Sequence, residues 1–583
     1  MRIPRVGTGL TASWRAGYRL TDLRHDVLAG LTVGIVAIPL AMALAIATGV
    51  PPQHGLYTAI VAGAVIALTG GSRFNVSGPT AAFVVILFPV VQEYGLGGLL
   101  LATIMAGLIL VSLGAARLGV LIQYVPYPVV LGFTAGIAVV ITVLQIPDFL
   151  GLATEELGEH FVDNLWRITV ALPGISVAEL AVGTVTLATL ILWPRFRLAI
   201  PAPLVGLFVG ALAAALINHW PSDVLPDVAT IASRFTWEAH GSSGSGIPPV
   251  APELAAPWRF PGPDGAPLDI DFSLIRALLG PAFAIAVLAA IESLLCAVVA
   301  DGLTRTRHDP NAELIGQGLG NMVVPFFGGI TATAAIARTA TNIRSGARSP
   351  VAAVVHSLVV LLGVVGLAGV LGLVPMAALA ALLFVVAWNM SEARHFAHTL
   401  RSAPPGDVAI LVICFGLTVL FDMVLAVAVG VGLAAALFIR RMALLTESER
   451  MDPQDNAVIR DLPRHVAVYD VNGPLFFGAA EKAVASLRLV DPEVRTIIVD
   501  MHDVPSMDGT AIVALQSLID EMHGQGVSLI LVGLPARIIV KLRRAGIRKT
   551  PGSLTYCRTL GRASMTALRW DGQYSRTSGS RLA

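Results

Sequence analysis

The sequence predicts a polytopic α-helical membrane protein carrying a small α/β domain at its C-terminal end. Three observations predict this. Of the 583 residues, 55% are hydrophobic and only 13% are charged, where ordinary soluble chains carry about 25% charged residues. Apolar runs long enough to cross a bilayer follow one another over residues 27–442. After Arg441 strand-like and helix-like patterns alternate, as they do in a two-layer α/β unit.

The elements follow in order. Residues 1–26 carry Arg2, Arg5, Arg15, Arg19 and Arg24, and no cleavage pattern follows them, so they read as a cytoplasmic segment rather than a signal peptide. The hydropathy pattern predicts spans near 27–48, 54–72, 97–116, 128–147, 176–194 and 201–218, then near 276–300, 312–327, 351–373, 376–391, 406–421 and 423–440. Half-helices at 79–92 and 337–346 bring the number to fourteen, seven in each half. The loop charges fix a direction: with the N-terminus inside, Arg73, Arg117, Arg195, Arg197, Arg305, Arg307, Arg344, Arg348, Arg394, Arg401, Arg440 and Arg441 all fall in cytoplasmic loops. The longest outer loop, 219–275, is rich in Pro, Gly and Ser and is net acidic. A linker is predicted over 443–457, an α/β domain over 458–570, and a disordered polar tail over 571–583.

Several function classes are excluded by composition. A net charge of +1 gives no reason to expect a nucleic-acid partner. Cys296, Cys414 and Cys557 are too few and too scattered for a disulfide framework or a metal cluster. No cofactor is expected, and the C-terminal domain shows neither a nucleophile–base pair nor a phosphate loop, which argues against an enzyme.

Two interrupted segments carry the chemistry. One reads Asn75-Val76-Ser77-Gly78-Pro79-Thr80-Ala81-Ala82-Phe83; the other runs from Gly328 through Ala337 to Arg338. Irregular backbone at membrane depth is tolerated only where it is buried in protein or lines a cavity. A single interruption reads as a buried kink, whereas a pair at analogous positions of two halves points to a midplane binding site. A half-helix starting there aims unpaired N–H groups and about half a positive charge at the site, so two facing starts attract an anion. Arg338 opposes its own helix dipole, and the sequence leaves open whether it faces the anion or snorkels to the cytoplasm. Glu292 lies deep within a predicted span, where an ionisable residue marks an ion or proton pathway; tying helices together is the alternative. His356 and Asp422 sit near span ends and read as wet or satisfied, and Gln317 and Asn321 read as packing residues.

The stretch Pro51-Pro52-Gln53-His54-Gly55-Leu56-Tyr57 resembles the signature of the sulfate permease (SulP) family, and the likeness extends through both interrupted segments, the Glu292 span and a C-terminal domain that resembles a STAS domain. More narrowly, Ala37–Ile46, Leu68–Phe74, Ile291–Val299, Pro325–Arg338 and Ala387–Ala393 look like the DauA-type C4-dicarboxylate transporters. The resemblance implies a UraA-like seven-plus-seven inverted repeat, a homodimer and an elevator-like movement. It implies substrate held by Thr80 and Ala81 on one side and Ala337 and Arg338 on the other. Bicarbonate members place a sodium-binding Asp and a Thr where this chain has Glu292 and Cys296, so a proton on Glu292 is the better expectation for the coupling ion. The loop Pro505–Ala511 matches the phosphorylated loop of anti-sigma antagonists at Thr510, which is expected to act here as a helix cap.

These readings converge on proton-coupled uptake of C4-dicarboxylates such as succinate, fumarate or aspartate, in a bacterial inner membrane with both termini cytoplasmic. The expected partners are the anion, protons, the lipid bilayer, a second copy of the chain and a cytoplasmic regulator of the STAS-like domain. Two alternatives stand beside it: sulfate or bicarbonate as the carried anion, and an anion sensor that signals through the STAS-like domain.

Overall fold

The computed structural model describes residues 6–579 except 123–124, 155–157, 159–160, 197, 199, 220–225, 240, 422, 445–446, 453–456 and 489–490. Asp422 and residues 580–583 therefore lie outside the described residues. The chain divides into two compact bodies, Met1–Gly432 and Leu433–Ala583.

The first body is a polytopic helical assembly. Its N-terminal half contains Leu20–Ala47, Pro52–Thr69, Ala81–Ala115, Tyr127–Leu150, Val177–Leu192 and Ala202–His219. Its other half contains Phe272–Thr304, Pro310–Val323, Ile336–Arg344, Val351–Leu371, Met376–Met390 and Pro405–Leu420, and Met423–Leu444 leads out of it. Ala81–Ala115 is two helices in series, because Gly95 between them has φ 69° and ψ −175°. Counted so, the described residues hold fourteen segments, seven in each half. Among the described residues, nine helices are long and apolar enough to cross a membrane.

After a short helix Thr8–Arg15, the first spanning helix begins at Leu20, seven residues before the apolar run. It can do so because Asp26 is fully buried there with partners: its carboxylate accepts from Tyr18 Oη at 2.7 Å and from the backbone N–H groups of Arg348 and Ser349 at 2.6 and 3.1 Å. A buried carboxylate with that many donors does not read as apolar, which is why the hydropathy boundary falls late.

Two sets of helices pack mainly among themselves. Leu20–Ala47, Pro52–Thr69, Ala81–Ala115, Phe272–Thr304, Pro310–Val323 and Val351–Leu371 form one; Tyr127–Leu150, Val177–Leu192, Ala202–His219, Met376–Met390 and Pro405–Leu420 form the other. In the first set small residues bring backbones together: Gly107 and Gly318 each face the other's carbonyl oxygen, leaving no room for a Cβ on either.

The second body is a five-stranded sheet in the order Glu447–Arg450, Val466–Asn472, Thr496–Asp500, Ser528–Val532, Leu554–Cys557. The first pair is antiparallel and the others are parallel. Alternation decides the two faces. Ala467, Tyr469, Ile497, Val499, Leu529 and Leu531 pack under the helices Phe477–Arg488, Gly509–Gly524 and Ala536–Arg544. Val468, Ile498, Ile530 and Val532 face Ala563 and Ala567 of the last helix, Leu560–Gly579. Burial on both faces is what a parallel sheet requires.

Three expectations change here. Residues 447–450, expected in a linker, form an edge strand; Glu-Ser-Glu-Arg is held by backbone pairing and leaves no hydrophobic trace. The last helix continues to Gly579, into the segment expected to be a disordered tail from 571. The cap of Gly509–Gly524 is Asp508, whose Oδ1 accepts from Ala511 N at 2.8 Å, while Thr510 is exposed in the first turn rather than capping.

Candidate functional site

The two interruptions are real breaks, and they are joined to each other. Ser77–Gly78 and Thr333–Ala334 are short antiparallel strands, with Ser77 opposite Ala334 and Gly78 opposite Thr333. Ala335 N–H also donates to Val76 O at 3.0 Å. Each strand leads directly into a helix, Thr80 preceding Ala81–Ala115 and Ala335 preceding Ile336–Arg344. Neither helix start has a side-chain cap, so the first-turn N–H groups of both remain available to an anion.

Four helices hold this ribbon. From Pro52–Thr69, His54 Nδ1–H donates to Gly328 O at 2.6 Å and Thr58 Oγ1 to Ile330 O at 3.1 Å, securing the turn where Gly328 adopts φ +68°. Gln317 Nε2 donates to Ser77 Oγ at 3.1 Å, and Asn321 pairs with both the N–H and the C=O of Ala332 at 2.8 and 2.9 Å. Gln317 and Asn321, read from sequence as packing residues, thus hold one broken segment each. Thr339 Oγ1 accepts from Val76 N at 3.0 Å, and Asn342 Nδ2 donates to Phe74 O at 2.9 Å. Thr103 and Thr331 share a hydrogen bond of 2.7 Å.

Glu313 anchors the approach to the first break. It is 1% exposed, and its carboxylate accepts from Gly71 N, Ser72 N, Asn75 Nδ2, Ser293 Oγ and Gln317 Nε2 at 2.9, 2.9, 2.8, 2.9 and 3.4 Å. Sequence reasoning missed it. The residue stands in a helix first turn, where an acid is unremarkable, and its partners are distant in the chain.

The structure brings four of the five predicted site residues to the crossing with specific contacts or helix starts. Thr80 Oγ1 donates to the Glu292 carboxylate at 2.9 Å. Arg338 is only 3% exposed, so it does not snorkel; its Nη2 donates to Pro79 O at 2.9 Å, across the ribbon from its own helix. Glu292 and Arg338 lie within electrostatic range of each other. Among the described residues, Nε and Nη1 of Arg338 have no hydrogen-bond partner, which leaves two donor nitrogens of one guanidinium free. Gly78 makes this possible, because a Cβ there would collide with Nη1. Ala81 opens one helix; Ala337 follows the other's first residue and is exposed, with no side-chain contact to the crossing.

Cys296 is fully buried and donates to Thr339 Oγ1 at 3.2 Å. No group of three or more His, Cys, Asp or Glu able to hold a metal occurs among the described residues. His356, read as wet or satisfied, is fully buried with neither ring nitrogen partnered, close enough to Arg338 to feel its charge. A cavity of about 470 Å³ lies beside the first half-helix, walled by Val85, Phe88 and Pro89 on that side and by Val140, Leu144 and Thr418 of the other helix set. Thr80 and Arg338 do not line it.

The arrangement can bind an anion: two uncapped helix starts and a guanidinium with two free donors converge beside a carboxylate that a hydroxyl already touches. Comparison with known proteins agrees with this chemistry. Residues 23–414 match the Sulfate permease family and residues 457–563 the STAS domain. YvdB of Bacillus subtilis (strain 168), provisionally named a sulfate transporter, is 40% identical over 533 residues, covering 91% of this chain and 95% of its own. The bicarbonate transporter BicA of Picosynechococcus sp. is 30% identical over 552 residues, covering 91% of this chain and 92% of its own. Among solved structures, the murine anion transporter Slc26a9 shares the fold at TM-score 0.78 and 20% identity, covering 92% of this chain and 90% of that one.

Proposed function

This chain belongs to the sulfate permease family and is an anion transporter of that family with a STAS domain; on that premise we propose that it takes up C4-dicarboxylates together with protons. One observation carries the reading: the Thr80 hydroxyl, the Glu292 carboxylate and the Arg338 guanidinium meet where both half-helices begin. An ionised Glu292 competes with the substrate, because it attracts Arg338 and holds the Thr80 hydroxyl. A proton on Glu292 removes that competitor and releases the guanidinium charge for the anion. Proton and anion then load together. The unpartnered Nε and Nη1 of Arg338 supply charge-assisted N–H donors for the oxygens of an anion.

The membrane potential favours coupling. Moving one charge against 100 mV costs about 2.3 kcal/mol, so a free dianion entering the cell faces roughly twice that. A proton on Glu292 and a singly protonated substrate neutralise the cycle. The same reading places both termini in the cytoplasm of a bacterial inner-membrane protein. The ribbon-bearing helix set moves as an elevator against the other in a homodimer, and the STAS domain receives a regulatory partner.

Sulfate or bicarbonate is the second reading of the cargo, favoured by the names of YvdB and BicA. Uptake of labelled succinate into proteoliposomes, with and without an inward proton gradient and in competition with sulfate and bicarbonate, separates the two. Succinate uptake that rises as external pH falls, and that sulfate does not displace, is expected. Transport of sulfate alone replaces the substrate assignment, and transport of no anion sinks the reading.

A further inference from the structure

The second body carries a basic cleft at the Leu554–Cys557 edge of its sheet. The cleft, of about 750 Å³, is formed by the end of the helix Ala536–Arg544, the edge strand Leu554–Cys557 and the start of the helix Leu560–Gly579. Arg543, Lys549, Arg558, Arg562 and Arg569 line it, together with the hydroxyl residues Thr555 and Thr566, and no Asp or Glu does. All five cations are exposed. Arg562 and Arg569 are seven apart on one helix and so share a face, and Arg558 stands four residues before Arg562. None of the five has a carboxylate partner among the described residues. Lys549 reaches only the Tyr556 carbonyl, at 3.4 Å.

Exposed charge on an edge strand has an ordinary use, which is to discourage pairing with another sheet. That use asks for charges scattered along the edge. Here they come from two helices and from the loops on either side of the edge strand, and they face one concavity, where like charges repel one another unless an anion sits among them. Guanidinium groups match phosphate oxygens in paired geometry, and several converging cations suit several charges on one compact ligand. We propose that this cleft binds a ligand bearing more than one phosphate charge, from either a soluble phosphate compound or the headgroup of a phospholipid with two phosphates.

Cys557 gives the test a reporter. It lines the cleft and is partly exposed, whereas Cys296 and Cys414 are buried. The full-length protein is labelled with a maleimide and the rate at Cys557 is followed in two arms: in detergent with and without pyrophosphate, and in phosphatidylcholine nanodiscs with and without cardiolipin. Occupancy slows labelling by about fivefold or more, and added salt restores the rate because the attraction is screened. Protection by pyrophosphate assigns a soluble phosphate ligand, and protection confined to cardiolipin discs assigns a headgroup. Arg562→Gln combined with Arg569→Gln keeps the unliganded rate and loses the protection. Unchanged labelling of the natural protein in both arms overturns the proposal, as does equal protection in the double variant.

Discussion

Glu292 and Glu313 are two acids twenty-one positions apart, both inside the helical body, and they differ in what surrounds them. Glu313 is enclosed and accepts five hydrogen bonds from three stretches of chain. Glu292 is partly buried and accepts one, from Thr80. The first has no capacity left and fixes the backbone that leads into the break. The second retains the capacity to exchange a partner, which a coupling residue needs. Acid identity and depth do not separate an anchor from a working group; the number of donors already committed does.

Substitution can break this contrast. Glu313→Gln places an amide N–H₂ among donors, and leaving two or more groups unpaired costs about 1–3 kcal/mol each. The variant should unfold at markedly lower temperature in detergent. Glu292→Gln should unfold close to the natural protein but lose gradient-driven accumulation, while still binding succinate. Equal thermal loss in both would erase the distinction. Gly78→Ala comes next: the new methyl displaces Nη1 of Arg338, and uptake should fall by about tenfold or more, since misplacement near 1 Å is expensive at a working site. Thr80→Ala removes one hydrogen bond, worth about 1 kcal/mol, and should move the KM for succinate by roughly fivefold with a shifted pH profile. Asp508→Ala should have the smallest effect, about 1 kcal/mol of stability in the second body, read as earlier thermal unfolding with uptake unchanged.

Much of the fold was legible because lipid and parallel sheets both leave hydrophobic records. Most of the fourteen segments follow apolar runs, and the three central strands follow Val466–Asn472, Thr496–Asp500 and Ser528–Val532. Elements held by backbone pairing or by buried polar groups leave no such record, as with Glu447–Arg450 and with the start of the first span at Leu20, where Asp26 is buried. At the site, Glu292 and Arg338 could be named from charge at depth, and Thr80 from the family resemblance over the first interruption. Their mutual positions could not, because Arg338 hydrogen-bonds a carbonyl 259 positions away. The same distance hid Glu313, whose donors at 71, 72 and 75 lie in the loop before the first strand and whose donor at 293 lies in another helix. The role of His54 was also hidden: it stands in the stretch that carries the family resemblance, and its contact is with Gly328.

The pairing of Ser77–Gly78 with Thr333–Ala334 has a mechanical consequence. Because the two halves of the chain are stitched together at the point where each loses its helix, neither can retreat alone without tearing the seam. On the proposed reading, a solute cradled there is released by shifting both jaws as one block rather than by prying them apart.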